Sequence, residues 1–453
     1  MPVDAIIADT ASVFARDMWP LHLWTVGTGI VGNAACALIG CYLVLRRMSL
    51  LGDAISHSIL AAIGTVFLLT GSARFIPIFI GAIVVGVLTG FLTQLFQTLA
   101  DVPEDTSMGV VFTTLFAVGV VIISQFPQHD LDVTCVLYGK FEFVSYTKAN
   151  VFGYEIPEAM LRLGGSLLIT LGFVFVLWKE LKLASFDSEL ATAMGFHSGL
   201  IHYLLMGLVA VVTVTSLESV GAIVVIAMLI VPAATAHLLT DRIVRMMMLS
   251  VLLSTTATIL GYLAALYVNS TMSGMIAVVA GAQFAVTVVF APTHGLLGKG
   301  FNNLRLRLRI AREDILSRLY RMEESQTTAA KEPVTLTRTQ CRQLAGGGFL
   351  GWLSLSAMRR NGQVVPAGDD HIQLTATGRS EGRSLLRSHR LWESYISKHF
   401  DLDADHLHEP AHRVEHYIGP KLQEQIEEEL DASSVDPHGK QIPPAENASK
   451  QGE

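Results

Sequence analysis

Through the first 290 residues, apolar side chains run in unbroken stretches instead of alternating or recurring at helical spacing. Each stretch is about 17–24 residues, enough to cross a hydrocarbon layer of roughly 30 Å as a helix. The stretches fall near 24–45, 51–70, 76–98, 108–125, 163–178, 200–217, 220–239, 246–268 and 274–291, which predicts about nine spans. Residues 131–150 are ambiguous and read as a re-entrant or interfacial segment. Small residues are mixed among large aliphatics, as in GAIVVGVLTG at 81–90, a pattern that suits close helix packing in lipid.

Beyond residue 300 the pattern changes. Basic residues alternate with leucine in LRLRLR at 304–309, and a helical pattern follows at 311–324, AREDILSRLYRMEE. A polar linker reaches Pro333. Two short helices, TLTRTQCRQLA and LGWLSLSAMRRNG, are predicted on either side of Gly346–Gly348. QVVPAGDDHIQLTATG predicts a hairpin with a polar tip. Helices are expected at about 378–399, 404–417 and 420–430, with a loose polar end from Asp436. The domain layout expected is a membrane domain at 1–300, a basic junction and first helix at 301–334, and a region of two short helices and a hairpin at 335–380. A helical unit at 381–445 and a loose tail at 446–453 complete it. The fold class is therefore mainly α: a polytopic helix bundle followed by a largely helical soluble domain.

Charge sharpens the boundary. Of 453 residues, 51% are hydrophobic and 16% charged. Residues 1–300 hold 12 Lys/Arg and 17 Asp/Glu, against 20 and 22 in the remaining 153. Neither part is basic enough for a bulk nucleic-acid binder. Four cysteines without a CxxC pair argue against a disulfide framework or thiolate metal site. The acidic start predicts no removable signal peptide. With the N-terminus outside, Arg46, Arg47, Lys179, Lys182, Arg242, Arg245, Lys299 and the 304–309 run fall on the inner face. Arg16, Arg74, Lys140, Lys148 and Arg162 fall outside. That bias places the C-terminal domain in the cytoplasm of a cell-membrane protein.

Two clusters carry candidate chemistry. Asp53 and His57, four residues apart near the start of the second span, share a helix face and approach the bilayer midplane. An ionisable pair at that depth should face a bundle interior or a wet cavity. It reads either as a ligand pair for Mn²⁺, Fe²⁺ or Zn²⁺, or as a structural contact with Asp53 capping the helix. In the tail, His389 and Glu393 are four apart, and His408, His412, Glu415 and His416 follow at spacings of 4, 3 and 1. These read either as a divalent-metal site or as a solvated polar helix face. His237 reads as an interfacial histidine and Glu218 as an acid in an outer turn. No nucleotide site is expected, since GLLGKG at 295–300 lacks the hydroxyl and spacing of a phosphate loop. Absence of HExxH argues against an intramembrane metalloenzyme.

Resemblance extends these readings. RRMSLLGDAISHSIL at 46–60, EDTSMGVVFTTLFAVGVV at 104–121, DLDVTCVLYGK at 130–140, FDSELATAMGF at 186–196, SVGAIVVIAMLIVPAATAHLL at 219–239 and FAPTHGLL at 290–297 together resemble the permease subunits of ABC transporters for manganese, zinc and iron. That resemblance implies that Asp53 and His57 line the translocation path. It implies that Phe186, Asp187, Glu189, Leu190 and Gly195 form the segment on which a separate ATPase docks. Further partners implied are an extracytoplasmic metal-binding protein and a second permease, identical or related; the chain itself is not an enzyme.

HRLWE, HEPAHRVEH and DPHGKQIP resemble the metal-binding and dimerisation domain of DtxR/MntR-type repressors, and 311–324 their first helix, which implies that 335–380 is winged-helix-like. The likeness implies one metal site at His389, Glu393 and His408. A second falls at Asp314, His412, Glu415 and His416. Position 412 departs from the family's usual Cys or Glu, position 317 is Ser where manganese-type members have an acid, and no third, SH3-like domain is expected. The mostly apolar GGGFLGWLSLSAMRRNG argues against DNA binding. Transport with a cytoplasmic metal sensor is the leading expectation, and a membrane-anchored, metal-dependent transcription regulator is the alternative.

Overall fold

The long apolar runs fold as helices because a leucine-, valine- and alanine-rich chain in lipid must satisfy its backbone hydrogen bonds internally. The computed structural model describes residues 19–70, 75–125, 141–151, 153–292, 295–326, 334–368, 370–400, 402, 406–430 and 435–445. These residues cluster into two units, Met1–Gly298 and Lys299–Glu453.

In the first unit, nine helices among the described residues are long and apolar enough to cross a membrane. They are α1 (Trp19–Leu45), α2 (Leu51–Thr70), α3 (Phe75–Ala100), α4 (Glu104–Ser124), α5 (Glu158–Val176), α8 (Ser198–Val220), α9 (Ala222–Leu239), α10 (Ile243–Val268) and α11 (Met272–Phe290). Two short helices, α6 (Trp178–Phe186) and α7 (Ser188–Ala193), lie between α5 and α8. Among the described residues of the ambiguous 131–150 region, a 3-10 turn at Phe141–Phe143 precedes an antiparallel hairpin of β1 (Lys148–Val151) and β2 (Tyr154–Pro157). Residues 130–140 with Cys135, and Arg16 and Arg74, lie outside the described residues. Glu218 falls in the last turn of α8 and not in a connecting turn; the break comes at Gly221, whose φ of 87° ends the helix.

Helix α1 packs on α5, α9 and α10, and α2 packs on α3 and α4. Polar side chains tie helices together where both would otherwise be stranded in lipid: Asn33 Nδ2 donates to Thr258 Oγ1 at 2.7 Å. Glycines set the closest approaches. A Cβ at Gly119 on α4 would lie 2.5 Å from the Ala61 backbone nitrogen on α2. Gly119→Leu is therefore expected to force α4 off α2, at about 1–3 kcal/mol or more of overpacking. A lowered melting temperature of the detergent-solubilised chain would report it; unchanged melting would mean the two helices slide apart freely.

The second unit holds all but the first three residues of α12 (Leu296–Gln326), one continuous helix where a helix over 311–324 was expected. Leucine and arginine are strong helix formers, so the alternating run propagates a helix and is not extended. A three-stranded antiparallel sheet ordered β3-β5-β4 comprises Leu336–Thr337, His371–Leu374 and Val364–Pro366. The hairpin was expected; the two-residue β3 was not. Between β3 and β4 lie α13 (Arg338–Leu344), with a Thr337–Gln340 capping box, and α14 (Gly348–Arg360). Then come α15 (Ala376–His399), α16 (His408–Val414), a 3-10 turn at Glu415–Tyr417, and α17 (Pro420–Glu429).

The chain from Asp436 is not loose over 435–445, contrary to its composition. Asp436 is buried, Arg387 donates to the Pro443 carbonyl, and Arg390 donates to the Gln441 carbonyl. These two buried arginines need acceptors, and the polar, proline-rich segment supplies carbonyls that it cannot use internally.

Candidate metal centres

Residue Leu51 begins α2 after the turn at Arg46–Leu50, so Asp53 sits in the first helical turn and His57 one turn further in. His57 Nε2 lies 3.3 Å from Asp53 Oδ1, and each side chain keeps about a third of its surface exposed. The imidazole stacks on Phe112, with ring centroids 5.8 Å apart, and meets Phe116 edge-on at 5.7 Å. Both phenylalanines belong to α4. The pair is thus walled by aromatic rings on one side and open on the other. It offers one carboxylate and one imidazole from a single chain, too few to enclose a metal. Sequence reasoning missed Phe112 and Phe116, since an aromatic in an apolar span carries no mark of its neighbour.

At 186–196, Asp187 caps α7 by accepting from the Glu189 and Leu190 amides at 3.1 and 2.9 Å. Gly195 turns the chain with φ of 89°. Phe186, Leu190 and Met194 are exposed apolar groups, and Asp187 and Glu189 are solvent-facing acids.

In the second unit, four elements converge. Helix α12 supplies Asp314, α15 supplies His389 and Glu393, α16 supplies His408 and His412, and the following 3-10 turn supplies Glu415 and His416. Ligand atoms of Asp314, His412, Glu415 and His416 all lie within 4.8 Å of one another, and so do those of His389, Glu393 and His408. Glu415 joins the two groups: Oε1 is 3.0 Å from His412 Nδ1, and Oε2 is 2.6 Å from His389 Nδ1. His389 Nε2 in turn is 3.0 Å from Glu393 Oε1 and 2.9 Å from His408 Nδ1. A His389 that donates from Nδ1 to Glu415 presents Nε2 to its own group, the arrangement that orients metal-binding imidazoles.

Three contributors escaped sequence reasoning. Glu313 lies 2.9 Å from His416 Nδ1, and the adjacent acids 313–314 were its only signal. Arg321 approaches Glu415 Oε2 at 3.5 Å. His438 Nε2 is 3.8 Å from Glu393 Oε1 and lines a cavity of about 380 Å³ with His389, Glu393 and His408. Ser317 lines a separate hollow with Asp314, His408 and His412.

The electrostatics suit a cation. Burial pushes the Glu393 carboxyl up, but hydrogen bonding and charge from His389, then His408 and His438, hold it at about 2. Burial likewise opposes ionisation of Glu415, yet His389, Arg321 and His412 keep it below the usual range. Burial pushes His416 down, but Asp314 and Glu313 outweigh it and raise it to about 9. Asp314 Oδ1 faces His416 Nε2 at 3.3 Å and His412 Nε2 at 4.0 Å. Two imidazoles and two carboxylates converging in this way fit a Mn²⁺, Fe²⁺ or Zn²⁺ ion.

The raised His416 sets a pH dependence. With a folded value near 9 against an ordinary 6.5, protonated His416 stabilises the metal-free unit fully below about pH 6.5, and that stability is lost as pH rises through about 9. A metal must displace this proton, so affinity at the Asp314–His416 group should rise with pH, about tenfold per unit, until about pH 9. Calorimetry of the chelator-treated chain in buffers of different ionisation enthalpy measures it; binding without proton release would contradict the assignment.

Helix α14, where a winged-helix protein would read DNA, exposes Phe349 and Trp352, stacked at 6.0 Å, before Arg359 and Arg360.

Residues 18–291 match the ABC 3 transport family, and residues 375–444 match the iron dependent repressor, metal binding and dimerisation domain. The manganese transport system membrane protein MntD of Bacillus subtilis (strain 168) is 42% identical over 286 residues, covering 63% of this chain and 97% of that protein. The zinc transport system membrane protein TroD of Treponema pallidum (strain Nichols) is 37% identical over 270 residues, 59% of this chain and 73% of that one. Among solved structures, PsaBC from Streptococcus pneumoniae in complex with Fab is similar at 31% identity and a TM-score of 0.52, covering 64% of this chain and 97% of that one.

Proposed function

The chain belongs to the ABC 3 transport family, a multi-pass membrane family, and from that membership we propose that it is the permease subunit of an ATP-binding-cassette importer of divalent transition metal. The observation that carries the reading is the Asp53–His57 pair, a carboxylate and an imidazole 3.3 Å apart inside an apolar span. A second permease, identical or related, facing it across the open side would bring two further ligands and complete a transient four-ligand cation site. Manganese and iron are favoured over zinc because the tail resembles iron- and manganese-responsive domains; the relatives named for manganese and zinc transport support the class.

A separate ATPase supplies hydrolysis and pushes on the Phe186–Leu190–Met194 surface, with Asp187 holding α7 in shape. An extracytoplasmic binding protein delivers the metal. The bias of basic residues puts the second unit in the cytoplasm, where its two metal groups sense the imported ion and feed back on transport. The exposed Phe349 and Trp352, in place of polar base-reading groups, favour this over operator binding. Uptake of radioactive manganese by cells that depend on this chain, with iron(II) and zinc as competitors, tests the proposal. Uptake equal to that of cells lacking the chain would refute it.

A further inference from the structure

The beginning of α12 is used neither by the transport path nor by the metal groups. Residues 291–295 alone separate it from the end of α11. Over 299–307 every residue is exposed within its unit, although four of the side chains in 296–306 are leucine and another is Phe301. Leu297, Phe301, Leu304 and Leu308 follow at spacings of 4, 3 and 4, so they form one apolar stripe. Arg305 and Arg307 flank that stripe on opposite sides, and the Arg305 guanidinium lies 5.2 Å over the Phe301 ring. Lys299 sits on the polar face. No acid occurs from residue 242 until Glu313.

We propose that residues 296–309 form an interfacial helix that lies on the bilayer surface and binds anionic phospholipid headgroups. Lipid is the occupant because position along the chain delivers this segment to the headgroup layer five residues after the last span. A stripe with Leu297, Phe301 and Leu304 exposed and Leu308 half-buried needs an apolar medium, and acyl chains provide it over the helix's length of about 21 Å. Arginines beside the stripe bury their stems and hold their guanidinium groups at phosphate depth. Juxtamembrane cations without intervening acids are the arrangement that anionic leaflets attract. Arg309 marks the end of the lipid-facing stretch: it donates to Glu313 Oε1 at 2.8 Å and to the His416 carbonyl at 3.1 Å. The same helix continues to Asp314, so a lipid-held start anchors a ligand-bearing element of the metal group. The inference rests on the nine spans and this segment, and is independent of which ion is carried.

Hydrogen–deuterium exchange of the full chain tests it in nanodiscs of phosphatidylcholine alone and of phosphatidylcholine with phosphatidylglycerol. Peptides covering 299–309 should exchange at least about tenfold more slowly in the anionic discs, given three free cations. The triple variant Lys299→Gln, Arg305→Gln, Arg307→Gln should lose that difference, and Phe301→Asp should lose most of the protection in both discs. Since all four side chains are exposed, these variants keep the fold. Equal exchange in the two discs would overturn the proposal. So would protection that survives the triple variant, which would mean that the stripe is covered by protein.

Discussion

Cells in which His57 is replaced by alanine are expected to take up metal no faster than cells lacking the chain, and Asp53→Ala is expected to do the same. The loss should be close to complete because, in the proposed path, Asp53 and His57 are the ligands that each chain brings. Removing one leaves a cation in a low-dielectric span with half of its compensation gone, where unpaired charge costs several kcal/mol. The structural cost of the same change should be small. Among the described residues, His57 makes no hydrogen bond to a helix other than its own, and its ring contacts are with Phe112 and Phe116. The melting temperature should therefore stay near wild type, and that combination separates a transport ligand from a packing residue. Asp53→Asn is the sharper control, since it keeps the side chain's shape and removes its charge. Undiminished uptake in any of the three variants would remove the pair from the path. A large loss of both melting temperature and uptake would return Asp53 and His57 to a structural contact.

The nine spans among the described residues were legible because lipid imposes a length and a composition that few other structures share. The Asp53–His57 pair was legible for a related reason: at four residues' spacing, helical geometry alone brings the side chains together. What such spacing does not carry is the third dimension. Nothing in residues 104–121 marks Phe112 and Phe116 as the wall beside His57. In the tail, the histidines and acids stood out by type, but Glu415 as the link between two groups depends on how α12, α15 and α16 converge. Local composition misled at two places. LRLRLR mimics an alternating strand, yet its residues favour helix and extend α12 back to Leu296. The proline-rich stretch after Asp436 has loop composition, yet Arg387 and Arg390, buried on α15, draw it onto the unit.

Replacing Glu415 with alanine is expected to weaken both metal groups of the second unit at once. Glu415 is fully buried and splits its carboxylate, one oxygen toward His412 and the other toward His389. At the Asp314–His412–His416 group it is a direct candidate ligand, so its loss leaves one carboxylate in place of two. At the His389–Glu393–His408 group it acts through His389, and losing an orienting partner of this kind weakens metal binding by about 10–100-fold. Arg321, 3.5 Å from Glu415 Oε2 and partly exposed, would lose that counter-charge as well, at a cost below the about 3–5 kcal/mol of a fully buried pair. Metal analysis of the purified chain should show fewer bound ions than wild type by more than one equivalent. Glu409→Ala, which removes an exposed acid paired with Arg413, should show no change. Transport should then no longer respond to metal on the cytoplasmic side, while Asp53 and His57 still pass the ion. If Glu415→Ala lost one equivalent and the His389 group kept its affinity, the two groups would be independent. A sensor built on their linkage through one carboxylate would have to be abandoned.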